Sequence, residues 1–348
     1  MNPSVDAAEV VAALRDATLG QIPEAVELAL GDPEAMRIAV EGVLSPIQRE
    51  VGRRWERGAI TADEALAVTA VVDASITQLW GAAEGFVVPR GPRVGIACAP
   101  GEWHEVPARM AAIELRCEGC NVTLLGASVT TEQLEAFARE VEPHAVALSA
   151  SLTSRFAAVA DSVAALHRRG VPVIVGGAAF GADATRARAL GADAWCADGD
   201  TAGQTVRAWE RHAPHIDPDP AARAVVDPAE RAAVIDTALR TRLRVEQEWA
   251  ASRSDGDNHR AGVELDALLN YTEAAVLAGD DTVLTEALGW WDRHLALEGA
   301  EANVRTTSVD ALVQALPRGR RRALLLRTRA ALPPSHPDGD APNGPATG

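Results

Sequence analysis

The sequence predicts an α/β domain with a doubly wound parallel sheet, flanked on both sides by all-α domains. Between residues 89 and 212, short apolar segments alternate with helix-length segments, which is typical of a parallel sheet covered on both faces. Residues 1–88 and 228–332 instead repeat their apolar residues at three and four spacing, the period of a helix. Residues 213–227 contain three prolines among acidic residues and predict a linker.

The N-terminal domain, residues 1–88, is predicted to be a cap bundle of four helices. Asp32, Pro33 and Glu34 mark one helix start, because proline is favoured in the first turn of a helix. Thr61 and Glu64 have the spacing of a capping box and mark another. Short connections between such helices favour a compact bundle.

Five apolar segments of the middle domain, residues 89–212, are the predicted strands. They are Val94–Ala99, Asn121–Leu125, Ala145–Leu148, Val171–Val175 and Ala194–Cys196. In open parallel sheets, ligands bind beyond the carboxyl ends of the strands. The residues that directly follow each strand are therefore the first candidates for a binding site.

Composition and charge argue against several functions. The formal net charge of −16 predicts that the chain does not bind nucleic acid directly, since phosphates would be repelled on average. No apolar run approaches the ~20 residues of a membrane span, and the first residues lack the order of a signal peptide. We therefore expect a cytoplasmic protein without membrane contact. The sequence contains no lysine, which excludes a Schiff base to pyridoxal phosphate or retinal and a Walker A phosphate loop.

The four cysteines have neither a disulfide-framework spacing nor a zinc-site spacing, in keeping with a reducing compartment. Cys117 and Cys120 do form a C-x-x-C pattern, which is found in redox and metal sites. It lies at the end of a predicted helix rather than at a helix start. Packing of the two cysteines as small apolar residues is therefore the favoured interpretation.

A histidine follows the first predicted strand, in the segment Glu102-Trp103-His104-Glu105-Val106-Pro107. An imidazole at the carboxyl end of a strand can bind a metal through one nitrogen while a carboxylate orients the other. Glu102 lies two residues before His104 and has the right chemistry for that second role. Taken alone, the segment is weak evidence for a metal ligand, because a loop histidine is more often simply solvated.

Small residues follow the third and fourth predicted strands. Ser149 and Ser151 follow one strand, and Gly176 and Gly177 follow the next. Glycine permits close approach of a ligand to the backbone, and hydroxyl groups can bond a buried polar group. Each feature taken singly is also compatible with ordinary turn chemistry.

Taken together, these motifs in segment 93–200 resemble the cobalamin-binding domain of methionine synthase, methylmalonyl mutase and their relatives. The pattern of that family is Asp/Glu-x-His-x-x-Gly, then Ser-x-Leu, then Gly-Gly. The resemblance implies that His104 is the lower ligand of the cobalt, that Glu102 polarises it, and that Glu105 belongs to the cofactor contacts. It further implies that Ser149, Ser151, Gly176 and Gly177 line a slot for the nucleotide tail of the cofactor. Pro107 and Ser151 depart from the pattern, and we expect only a local change from them.

The cap resembles that of the adenosylcobalamin photoreceptors that control carotenoid genes. Those caps carry a tryptophan, nine residues, and then Glu-His. The resemblance implies that Trp55 covers the upper face of the corrin beside the adenosyl group, although a core tryptophan is the alternative. Ala65 and Leu66 occupy the Glu-His positions, and no histidine precedes His104. This cap therefore cannot supply the upper histidine that those photoreceptors use in the light.

The C-terminal domain, residues 228–332, is predicted to contain about five helices, and the tail 333–348 has the composition of a disordered segment. The three-domain order resembles the photocobilins, whose globin-like C-terminal domain binds biliverdin. The resemblance implies a bilin held without a covalent bond, because no cysteine follows Cys196. Aromatic residues and arginines of this domain can hold a flat anionic pigment, although they are also typical of a core and a solvated face. The candidates are Arg260, Tyr271, Trp290, Arg293 and His294.

These features predict a light sensor rather than an enzyme. We expect it to form a homo-oligomer that contains adenosylcobalamin and biliverdin and to act on a downstream signalling protein. The alternative is a corrinoid methyl carrier of a methyltransferase system, but such carriers usually end after the cobalamin domain. A mutase subunit would need a substrate barrel of about 250 residues, which this chain lacks.

Overall fold

The computed structural model describes residues 29–216, 255–297 and 304–331, together with the isolated positions 22, 26 and 237. The chain divides into two compact units, Met1–Val225 with Leu277–Asp280, and Val226–Val276 with Asp281–Gly348. Most of the predicted linker, most of the first predicted C-terminal helix and the tail 333–348 lie outside the described residues.

The described part of the cap consists of three α-helices, α1 (Pro33–Ala39), α2 (Ser45–Glu56) and α3 (Ala62–Ala83), with a π-helical turn, Val40–Leu44, between the first two. Both predicted helix starts are confirmed. Asp32 caps α1 by accepting a hydrogen bond from the Glu34 amide at 2.9 Å. Thr61 and Glu64 form a reciprocal capping box at the start of α3.

The α/β domain is built on five parallel strands in the order β2-β1-β3-β4-β5. The strands are β1 (Arg93–Cys98), β2 (Asn121–Gly126), β3 (Ala145–Ser149), β4 (Val173–Gly176) and β5 (Ala194–Trp195). The order reverses between β1 and β3, so their connections leave toward opposite faces and open a crevice at the carboxyl edge. The predicted fold class is confirmed, and each predicted strand agrees with the observed one to within about two residues.

Five helices cover the sheet, and they are α4 (Val106–Cys117), α5 (Thr131–Val141), α6 (Phe156–His167), α7 (Thr185–Leu190) and α8 (Gly199–Arg211). The sequence prediction missed α8. Its signal was present, because Asp198 caps the helix by accepting from the Thr201 amide at 2.8 Å. Ala202 and Val206, four residues apart, are buried against the α/β core.

The cap packs against α4 through an apolar cluster and three arginine contacts. Met110 and Ile113 of α4 share a buried core with Val72, Ile76 and Leu79 of α3. Arg109 donates to Thr77 at 2.8 Å and forms an ion pair with Asp73. Arg116 lies 3.2 Å from the centre of the Trp80 ring, in a cation–π contact.

One described helical segment, Ala62–Phe86, is long and apolar enough to cross a membrane by length and composition alone. The core helix of a soluble bundle passes the same test, so this is weak evidence for a membrane span. Val72, Ile76, Leu79 and Ala83 of this segment lie in the core of the cap. We therefore interpret it as the central helix of the cap.

The C-terminal unit is helical where it is described, as predicted. Its helices are α9 (Asp255–Ala278), α10 (Thr282–Leu297), α11 (Val304–Ala315) and α12 (Arg320–Ala331). Leucines of all four helices are buried, among them Leu268, Leu284, Leu312 and Leu325. An ion pair of 2.9 Å between Arg329 and Asp310 joins the last two helices.

Candidate functional site

The loops that follow β1 and β3 meet at the carboxyl edge of the sheet. The Ala99 amide donates to the Ser149 carbonyl at 3.0 Å, so the first loop begins beside the end of β3. The loop after β2 joins them, because the Gly101 amide donates to the Ser128 hydroxyl at 3.0 Å. Three chain segments that are distant in sequence thus surround the crevice.

Glu102 is the centre of this arrangement. Its side chain is only 1% exposed. One carboxylate oxygen accepts from the Ser151 amide at 2.7 Å and from the Leu152 amide at 3.1 Å. The other accepts from the His104 amide at 2.9 Å and contacts His104 Nδ1 at 2.5 Å. Burial acts to raise the pKa of Glu102, but these hydrogen bonds outweigh it and lower the pKa to about 2.

His104 is held through one nitrogen, and its other nitrogen is available. Because the Glu102 carboxylate is ionised and only accepts, Nδ1 of His104 carries the proton that lies between them. The hydrogen bond to Glu102 raises the pKa of His104, against opposing effects of burial and of the Arg155 charge. The His104 side chain is 58% exposed, and among the described residues Nε2 has no hydrogen-bond partner. An oriented imidazole with a carboxylate on its far nitrogen matches the donor that a metal such as cobalt requires.

Ser149, Gly176 and Gly177 lie side by side at the ends of β3 and β4. Ser149 is 7% exposed, and its hydroxyl has no partner among the described residues. Gly177 has a φ of +100°, and a Cβ atom there would lie 2.4 Å from the Ala150 carbonyl oxygen. At Gly176 a Cβ atom would lie 2.9 Å from the Cys196 carbonyl oxygen. The site therefore requires two glycines, and it leaves a buried hydroxyl that can bond a ligand.

The two departures from the family pattern leave this geometry intact. Pro107 lies in the first turn of α4, where a missing backbone N–H removes no helical hydrogen bond. Ser151 contacts Glu102 through its backbone amide, so the identity of its side chain does not affect that bond. Glu105 precedes α4, and its carboxylate lies 3.8 Å from the position that a Cβ atom on Gly126, the last residue of β2, would take.

The cap extends beyond the same edge of the sheet. Asp73 and Thr77 contact Arg109 near the start of α4, and Trp80 contacts Arg116 near its end, so the two helices run in the same direction. At 1.5 Å per residue, α3 begins about 12 Å before α4 does, beyond the carboxyl edge. Leu66 lies in this overhang and is 66% exposed.

Trp55 lies at the same end of the cap, in the last turn of α2. The turn from α2 to α3 is closed by hydrogen bonds of 2.9 Å from the Gly58 amide to the Trp55 carbonyl and from the Ala59 amide to the Arg54 carbonyl. The Trp55 side chain is partly exposed. Trp55 and Leu66 thus both lie at the end of the cap that extends toward the edge where His104 lies.

The cysteines do not form a metal site in the described part of the chain. All four are free, and no group of three or more His, Cys, Asp or Glu side chains there could hold a metal ion. Burial raises the pKa of Cys117 to about 11 and that of Cys120 to about 12, so both thiols stay protonated. The interpretation of the C-x-x-C pattern as packing agrees with this.

The candidate bilin residues are only partly described. Tyr271 is partly buried on α9, and Trp290 is 36% exposed on α10. Arg260, Arg293 and His294 lie in these helices, but their side chains are outside the described residues. The predicted bilin contacts therefore stay predictions.

Comparison with known protein families shows which ligand this type of domain binds. Residues 92–207 match the B12 binding domain, and residues 7–80 match a second B12 binding domain. The α/β domain is a B12 binding domain. The first match contains the whole Glu102–His104 site, and the second covers most of the cap. The predicted cobalamin cofactor is confirmed at this level.

Two relatives from Myxococcus xanthus match about two fifths of the chain. The HTH-type transcriptional repressor CarH is 36% identical over 144 residues, 40% of this chain and 47% of that protein. The HTH-type transcriptional repressor CarA is 34% identical over 140 residues, 39% of this chain and 46% of that protein. The chain thus spans less than half of the length of these two relatives.

The expectation that nucleic acid is excluded as a partner is wrong. Both relatives are named as transcriptional repressors of the HTH type, a class defined by a DNA-binding motif. The error lay in using a net charge, which averages over the whole chain. An acidic ligand-binding region gives no information about the charge of a separate DNA-binding element.

Two solved structures are similar to part of the chain. A cobalamin-binding protein from Desulfitobacterium hafniense DCB-2 is 21% identical, with a TM-score of 0.33, over 59% of this chain and 98% of that one. The monomethylamine corrinoid protein of Methanosarcina barkeri is 20% identical, with a TM-score of 0.48, over 57% of this chain and 94% of that one. The fold assignment rests on the strand order of the sheet itself.

Replacement of Glu102 by Gln is expected to lower the pKa of His104 and to change the acid stability of the protein. The amide cannot supply a negative charge, so the interaction that raises the pKa of His104 is lost. In the wild type, the ionised Glu102 stabilises the fold above its ordinary pKa of 4.5, and this stability is lost as the pH falls toward about 2. The variant lacks this part of the pH dependence.

The pKa of His104 is measured from imidazole resonances in NMR, and the acid stability from urea unfolding at several pH values. Glu105→Gln makes the same charge change three residues away and serves as the control. Equal effects of the two substitutions would contradict the assigned role of Glu102.

Proposed function

We propose that this chain is a light sensor that binds adenosylcobalamin, with His104 as the lower ligand of the cobalt, and that it is a regulator rather than an enzyme. The observation that carries the proposal is the oriented His104–Glu102 pair at the edge beyond which the cap projects. The match of residues 92–207 to the B12 binding domain supports the cofactor. Similarity to two transcriptional repressors supports a regulatory role.

Different residues of the chain bind the two faces of the cofactor in this proposal. His104 would hold the cofactor through Nε2, and Glu102 keeps Nδ1 protonated and the ring oriented. The buried Ser149 hydroxyl donates to the nucleotide tail, and Gly176 and Gly177 leave room for it. When bound, adenosylcobalamin supplies a cobalt–carbon bond that visible light breaks.

Trp55 and Leu66 cover the upper face of the cofactor and exclude water from it. Both lie on the part of the cap that projects past the carboxyl edge, and Leu66 exposes 66% of its surface there. An apolar surface of this kind favours contact with an equally apolar ligand face. Because Ala65 and Leu66 replace Glu-His, the cap offers no second imidazole, and Trp55 would be the cap residue that contacts the adenosyl group.

We further propose that the response is a change in the association of chains that regulates transcription. A change at the cap alters the surface that one copy presents to another, and association then differs between dark and light. The two relatives act, by their names, on transcription. In this proposal, either the protein itself binds DNA, or a DNA-binding partner binds it in only one state of association.

Biliverdin is proposed as a second, non-covalent pigment of the C-terminal unit. The described part of this unit is helical and contains Tyr271, Trp290 and Trp291 on two successive helices. Aromatic rings pack on the faces of a flat pigment, and arginine pairs with its propionates. Arg260 and Arg293 are the arginines proposed for this role, and His294 completes the set.

Replacement of His104 by Ala is expected to lower cobalamin affinity about tenfold or more, or to leave the bound cofactor without a protein ligand. The visible absorption spectrum distinguishes the ligated from the unligated cofactor. His212→Ala is the control, because His212 is exposed at the end of α8. A spectrum and affinity equal to those of the wild type would remove His104 from the ligand role.

Illumination with blue or green light is expected to change the state of association of the adenosylcobalamin-loaded protein. Light removes the group that contacts Trp55, and the cap surface changes with it. Size-exclusion chromatography in the dark and after illumination measures the effect, with the apoprotein under the same light as control. Identical profiles would contradict the regulator and favour a corrinoid carrier.

Addition of biliverdin to the full chain is expected to produce a structured far-red band that survives desalting and is extracted by denaturant. Aromatic packing and ion pairs immobilise the pigment, whereas a covalent bond would resist extraction. Trp290→Ala is expected to weaken or shift the band. If the spectrum equals that of the free pigment and the pigment washes off, the C-terminal unit has another role.

A further inference from the structure

Arg155 carries a positive charge at the edge site that no negative group among the described residues pairs with. It ends the short helical turn Thr153–Arg155 that follows β3 and directly precedes α6. Its backbone amide donates to the Leu152 carbonyl at 3.1 Å. Within the described residues, its guanidinium forms no hydrogen bond and no ion pair. Its Nε atom is buried without an acceptor.

The position of the Arg155 side chain is set by the loop that contains His104. A Cβ atom placed on Gly101 would lie 3.0 Å from one terminal nitrogen of Arg155 and 3.4 Å from its central carbon. The guanidinium therefore lies against the backbone of Gly101, three residues before His104. Gly101 has a φ of +78°, so both its conformation and its neighbour favour glycine.

A buried N–H of a cation without an acceptor is costly, and proteins rarely leave one unsatisfied. The adjacent carboxylate does not satisfy it, because the oxygens of Glu102 accept from His104, Ser151 and Leu152. The terminal nitrogens of the same guanidinium also have no partner among the described residues, and they can donate to a ligand oxygen. A planar guanidinium prefers phosphate or carboxylate, which it can bind with two parallel hydrogen bonds.

We infer that Arg155 binds the phosphodiester of the nucleotide tail of cobalamin, an inference that rests on the proposed function. The phosphodiester is the one full negative charge on this cofactor. The tail must pass from the corrin, held at His104, to the slot beside Ser149. Arg155 contacts the loop of His104 and follows Ser149 by six residues, so its guanidinium is available to the tail on this path. The neutral carboxamides of the corrin are weaker acceptors for the same guanidinium.

The test compares cobalamin with cobinamide, which keeps the corrin and its carboxamides but lacks the phosphodiester and the base. Binding of both ligands is measured on the full chain for the wild type and for Arg155→Gln. We expect the variant to lose about 10- to 100-fold in affinity for cobalamin, the range of a hydrogen bond to a charged group. Its affinity for cobinamide should equal that of the wild type. Salt should weaken cobalamin binding more in the wild type than in the variant.

Arg169→Gln is the matched control, because it removes the same charge from an exposed position just beyond the other end of α6. Circular dichroism and unfolding midpoints verify that both variants fold. Equal affinity of wild type and Arg155→Gln for cobalamin would overturn the inference and leave the proposed function standing. An equal loss for both ligands would also overturn it, since the contact would then be to the corrin. Failure of the wild type to bind cobalamin would overturn the proposed function itself.

Discussion

The buried carboxylate of Glu102 is the interaction on which the site depends. A carboxylate removed from water must be compensated by hydrogen bonds, and here four donors from two loops supply them. Those bonds join the loop after β1 to the loop after β3 across the switch point of the sheet. They also set the orientation of the His104 ring and the start of the turn that carries Arg155. The Glu102 carboxylate therefore holds the two loops together, orients the His104 ring and positions the turn that carries Arg155. Its loss would disturb all three.

Much of the α/β domain could be predicted because its strands are continuous apolar runs bounded by glycine, proline and charged residues. These runs were enough to place β1 to β5. The helix α8 was missed because it begins with Gly199, Asp200 and Thr201, three residues of low helix propensity. Its stability comes from tertiary burial of Ala202 and Val206, and a local pattern gives little sign of that.

The residues of the candidate site that belong to a sequence motif were predicted. Those that join the site only through contacts in the folded protein were missed. His104 and Glu102 could be identified because their spacing and their place after a strand are both visible in the sequence. The role of Ser151 lies in its backbone amide, which no side-chain pattern reveals. Arg155 was missed for a related reason. Its proximity to Gly101, more than fifty residues earlier in the chain, exists only in the folded protein.

The overhang of the cap has a thermodynamic consequence for the apoprotein. Exposed apolar surface on the first turns of α3, including Leu66, is hydrated when nothing covers it. A ligand that binds there only in the folded state stabilises the cap by mass action, by about 2.7 kcal/mol at a hundredfold excess over its dissociation constant. Cofactor supply would then set how long a newly made chain survives proteolysis in the cell, and the amount of this protein would follow the amount of cobalamin.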